Sequence, residues 1–84
     1  MKKIEFNLEL AKKIESGEMN GRITTRYGLP VRILCFDAKT EDKLNIIALV
    51  DFGSHETIFS YTDTGYTNIS GVPSIQDLFL VFGK

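Results

Sequence analysis

The sequence predicts a single α+β domain over residues 1–84: a small, mostly antiparallel β-barrel or strongly curved sheet of about five strands, with one short N-terminal helix. Three observations carry this reading. The runs 31–37 and 46–51 are apolar on odd and even positions alike, whereas a strand with one wet face alternates. Residues 38–44 join those runs as a polar turn, which makes them a hairpin. Short β-rich runs then recur between turn residues, the pattern of a meander. Cover on both faces is the expected consequence, so Val31, Ile33, Leu34, Cys35, Phe36 and the five residues from Ile46 to Val50 should all be buried.

The elements follow in order. Ile4 and Phe6 form a short strand or an apolar anchor. Asn7 has the side chain of an N-cap, and Leu8, Leu10, Ala11 and Ile14 follow at near-helical spacing with Gly17 as the stop. Leu10 and Ile14 are expected to press this two-turn helix onto the sheet, while Glu9, Lys12, Lys13 and Glu15 face water. After a loop at 16–21, the β-branched segment 22–26 favours a strand, and Gly28 turns the chain. Pro30 enters the next strand where its missing amide costs least. Turns at 52–55 and 63–65 then separate strands at 56–61 and 66–69. Residues 70–74 break the pattern, and the second half of 75–82 is a strand that pairs with the segment at Arg22 or the one at Ile4.

Composition narrows the class. Hydrophobic residues at 43% and charged ones at 25% are ordinary globular values, which argues against disorder. A domain of this length buries roughly 60 to 65% of its unfolded surface. No apolar stretch approaches the roughly 20 residues of a membrane-spanning helix. Glu5, Asn7 and Glu9 interrupt what would be the apolar core of a signal peptide, so the expected location is cytoplasmic. One cysteine, Cys35, excludes an internal disulfide and any multi-cysteine metal site within one chain. The net charge of −1 is spread unevenly: residues 1–43 carry nine of the ten Lys and Arg against seven acids, and the remainder carries four acids and Lys84.

The segments Thr25-Arg26-Tyr27-Gly28, 31–37, 46–50, Tyr61-Thr62 before an Asp-Gly type turn, and Asp77-Leu78-Phe79 together resemble a family of small uncharacterised proteins of gut anaerobes and their phages or mobile elements. The likeness runs from Phe6 to Phe79. It includes a Phe-Asn-Leu-Glu helix start and a Thr-Arg-x-Gly hairpin, with a longer loop at 16–20. It implies the fold and a phage or mobile-element setting, and it brings no activity, cofactor or catalytic residue.

Cys35 with His55 as its base would be a nucleophile pairing, but Cys35 lies mid-strand and His55 lies in a turn, where an inert core thiol and a polar turn residue are the ordinary choices. Cys35, His55, Asp37 and Asp51 lack metal-motif spacing, and the two aspartates suit turn amides better than acid–base work. No phosphate-cradling glycine pattern is present, and no cofactor is expected. Arg22 and Arg26 share a strand face with Thr24, and Arg32 across the turn joins them beside Tyr27 as a candidate surface for phosphate or an acidic partner. Tyr61 and Tyr66 flank a turn as a second candidate surface, although cross-strand aromatic packing accounts for Phe59 and Tyr61 equally well.

The expected function is a non-enzymatic binding module, most readily for a protein partner of unknown identity. The alternative is a nucleic-acid-binding accessory protein that uses the arginine face on phosphates and tyrosines for stacking. The edges at 57–61 and 66–69 lack the lysine or proline that protects an edge, so a monomer is expected if the terminal run 78–82 is a sheet strand that covers them, and a homodimer if that run is not a strand.

Overall fold

The computed structural model describes residues 2–83; Met1 and Lys84, both within the expected domain, lie outside the described residues. Strand β1 (Lys2–Glu5) leads into helix α1 (Leu8–Glu15). Asn7 caps the helix as its side chain predicts: the Oδ1 atom accepts from Leu10 N at 3.0 Å, satisfying one of the unpaired amides of the first turn. At the other end Ser16 N donates to Lys12 O, and Gly17 takes φ +85° to leave the helix. Ala11 is the fully buried helical residue, with Leu8, Leu10 and Ile14 half-buried around it.

The strands β2 (Arg22–Thr25), β3 (Val31–Cys35), β4 (Ile46–Asp51), β5 (Glu56–Tyr61) and β6 (Leu78–Phe82) complete the fold. They form two antiparallel three-stranded sheets, β1-β6-β2 and β3-β4-β5. The terminal strand β6 is central in the first sheet and pairs with both candidates, with Ile4 opposite Leu80 on one side and Ile23 opposite Leu80 on the other. Leu78 and Leu80 point into a core shared with Ile23, Ala11 and the inner face of the second sheet, where Val31, Ile46, Ala48, Val50 and Tyr61 lie.

The expected closed barrel is not formed. Between β2 and β3 the pairing amounts to the single bridge Thr24–Pro30, because Pro30 has no amide with which to continue a ladder. At the far ends, β1 and β5 remain unpaired with each other. The expected strand at 66–69 is also absent. Side chains take backbone amides of that segment instead: Tyr66 N donates to Thr62 Oγ1, and Thr67 N donates to Asp77 Oδ1.

Cover on both faces of the central hairpin is likewise not what the structure shows. Ile46, Ala48 and Val50 are fully buried, but Ile47 and Leu49 are half-buried and Leu34 is 53% exposed. The helix and the first sheet supply one layer, and it lies on one side. A bulge between Ile33 and Cys35 offsets β3 against β4, so Cys35 comes opposite Ile47.

Candidate functional site

Strand register fixes the outward face of the second sheet. Ala48 pairs with Ile33 and Phe59 on the core side, so the intervening row Arg32–Leu49–Ile58 faces away from the core. Ile58 is 65% exposed, and with Leu34, Ile47 and Leu49 it makes an apolar face with no cover among the described residues. Polar groups border it. Arg32 reaches across β4 to grip Glu56 in a fork, Nη2 to Oε1 at 2.8 Å and Nε to Oε2 at 3.0 Å. Bonding to Glu56 and its negative charge raise the Arg32 pKa further, so the guanidinium stays charged at any working pH.

The arginines anticipated as one patch lie on two sheets. Arg22 sits opposite Val81 on the outer face of the first sheet, and Arg32 belongs to the second. Arg26 is engaged structurally: its Nη2 contacts Asp77 Oδ2 at 3.3 Å, its Nε donates to Ser74 O, and its guanidinium stacks 4.8 Å from the Phe79 ring centroid. Tyr27 is exposed in the adjacent turn. Tyr66 is half-buried and lines a cleft with Arg26, Phe6 and Phe79. Tyr61 leaves the candidate surface altogether, because it is fully buried and packs 6.4 Å from the Phe59 ring. Burial, reinforced by the charge of Asp77, pushes its phenol pKa well above the usual range, and its hydroxyl has no hydrogen-bond partner among the described residues.

The candidate catalytic residues lie apart. Cys35 comes opposite Ile47 near one end of β4, and His55 beyond the other end stacks on Phe52, so about 15 Å of strand separates them. Asp37 follows β3 at the Ile47 end, while Asp51 ends β4 and accepts from Gly53 N at 2.7 Å, as a turn aspartate does. The apolar outer face was the feature that sequence reasoning missed. Its signal was present in the non-alternating strands, which fit an uncovered apolar face as well as a doubly covered one.

Among protein-family models, curated proteins and solved structures, nothing matches this chain.

Proposed function

We propose that this chain is a protein-interaction module that acts by binding rather than catalysis, and that it binds through the second sheet. The observation that carries the proposal is the row Leu49–Ile58 with the exposed Leu34 beside it, an apolar strand face with nothing packed over it among the described residues. Covering such a face removes apolar area from water at about 25 cal/mol per Å², and the adjoining strand edge supplies main-chain bonds to an extended partner segment. The Arg32–Glu56 pair borders that face and sets its polar rim. The resemblance to phage and mobile-element proteins supports seeking the partner in a host that carries such an element.

The arrangement does not favour the nucleic-acid alternative. Two of its three arginines already hold carboxylates, and the third lies on the other sheet from Arg32.

Photo-crosslinking in the native host tests the proposal, with a photoreactive residue at Leu34 or Ile58 and a control at Ile69, which is 71% exposed outside the second sheet. Discrete protein adducts at 34 and 58, absent at 69, are expected. Equal labelling at all three positions, or none, removes the basis for the proposal.

A further inference from the structure

The four sheet edges are treated unequally. Edge strand β1 carries Lys2 and Lys3, the residue type that commonly blocks edge-to-edge pairing, and Lys3 Nζ is anchored on Arg26 O. The β2 and β3 edges meet at the Thr24–Pro30 bridge, and farther along β3 the Ile33 amide donates to Glu15 Oε2 at 3.4 Å. Strand β5, Glu-Thr-Ile-Phe-Ser-Tyr, has no lysine, proline or bulge, and the terminal strand expected to cover it and keep the chain monomeric pairs in the other sheet instead.

Hydrogen bonding shows which β5 groups point outward. Asp51 N donates to Pro30 O, so odd-numbered β4 residues turn their backbone groups toward β3 and even-numbered ones toward β5. Val50, Ala48 and Ile46 therefore bond to Thr57, Phe59 and Tyr61. Glu56, Ile58 and Ser60 are left with amides and carbonyls facing away from the sheet. The next outward amide, at Thr62, is already bound by Tyr66 O at 2.8 Å, which ends the free edge.

From this edge we infer that the β5 strand pairs antiparallel with β5 of a second copy, about a two-fold axis at Ile58. The inference rests on reading the second sheet as the interaction surface and names its partner. A register centred on Ile58 sets Ile58 against its own copy and Glu56 against Ser60 of the other chain, so every outward amide and carbonyl of Glu56, Ile58 and Ser60 finds a partner. Shifting the axis by one residue toward Tyr61 brings Glu56 against Thr62, whose amide is taken. On the outer face, the two rows join as Arg32–Leu49–Ile58 followed by the same three in reverse, an apolar strip ending in an arginine at each end. Charge raises no barrier: each Glu56 faces a serine, keeps its own Arg32, and stands about 13 Å from the other Glu56 along the strands, beyond the ~8 Å screening length at physiological salt. Two strands of six residues make an interface smaller than the ~1,600 Å² of a standard complex, so association is weak and concentration-dependent.

Sedimentation velocity of the full chain, from micromolar to millimolar concentration, should show a monomer passing into a dimer. Ile58→Pro removes an amide that the β4 ladder does not use, and it should hold the chain monomeric with an unchanged circular dichroism spectrum. If that variant fails to fold, Ile58→Lys places two like charges on the axis at an exposed position and should do the same. In a Cys35→Ser background, Ile58→Cys should oxidise to a covalent dimer, since directly paired residues stand about 5.5 Å apart, within the reach of a disulfide. Ser60→Cys, facing Glu56 of the other chain, should not. A monomer at every concentration, a dimer that survives both Ile58 substitutions, or crosslinking at 60 in preference to 58 overturns the inference. If host adducts at 34 and 58 then still contain a different protein, the interaction reading stands and the self-pairing alone falls.

Discussion

Arg26 and Asp77, 51 positions apart in the chain, meet at 3.3 Å, and the Asp77 carboxylate is almost completely buried. The same carboxylate accepts from Ser74 N at 2.9 Å and from Thr67 N at 3.2 Å, so one side chain ties the 66–76 loop to the end of β2. Asp77→Ala leaves two loop amides without their acceptor and should lower stability by about 3 kcal/mol. Arg26 is 42% exposed and partly screened, so Arg26→Ala should cost about 1 kcal/mol. Urea unfolding of both variants checks this order; equal losses would place the loop's anchor elsewhere.

Gly65 and Gly71 both have positive φ, at +88° and +73°, yet they differ in surroundings. A Cβ on Gly65 would stand 2.7 Å from Phe6 Cβ, whereas one on Gly71 meets nothing within 4 Å. Gly71→Ala should therefore cost about 1 kcal/mol of backbone strain, and Gly65→Ala that amount plus the displacement of Phe6, about 2 to 3 kcal/mol in all. Thermal melts of the two variants separate the contributions. Indistinguishable melting shifts would show that Phe6 yields without cost.

What could be read in the sequence was mostly local. Asn7 and Gly17 bounded the helix because capping depends on residues three or four apart. The strands from Arg22 to Tyr61 were legible from β-branched runs between turns, and the terminal strand from its apolar pattern. The faces were not legible. Whether Leu34 and Ile58 are covered depends on how many layers a short chain can supply, and one helix with three strands covers a single side. Thr67 reads as strand by propensity, but its amide is held by Asp77, ten residues on, a contact that no local pattern reveals. The candidate arginines were separated for a similar reason: Arg22 and Arg32 flank one turn in sequence, and the Pro30 break sends their strands into different sheets.

Ala11 is fully buried where the helix meets the core, while its neighbours Leu10 and Ile14 are half-buried. Leu10→Ala or Ile14→Ala removes partly covered methylenes and should cost about 1 to 3 kcal/mol. Ala11→Leu adds volume at a position with no exposed surface and should cost about as much by overpacking. A helix loosely attached to the domain would tolerate all three substitutions, so unchanged denaturation midpoints would contradict its place in the core.

Tyr61 links the core to alkaline stability. Its phenol is held above the ordinary tyrosine value of 10.0, first by burial and then by the charge of Asp77. A raised folded-state pKa means that the native chain keeps this proton after the unfolded chain has lost it. The stabilising contribution is complete below about pH 10 and declines above it, by about 1.4 kcal/mol per pH unit for one proton, as the pH moves toward the folded-state value. Tyr61→Phe removes this titration, and it also deletes a hydroxyl without a partner among the described residues, so its cost at pH 7 should be under about 1 kcal/mol. Tyr27, 76% exposed, provides the control. Melting temperature followed from pH 8 to 11 should fall more gently for Tyr61→Phe than for the parent, and Tyr27→Phe should follow the parent curve. If Tyr61→Phe keeps the full alkaline slope, the loss of stability belongs to other groups and Tyr61 is not the residue that limits it.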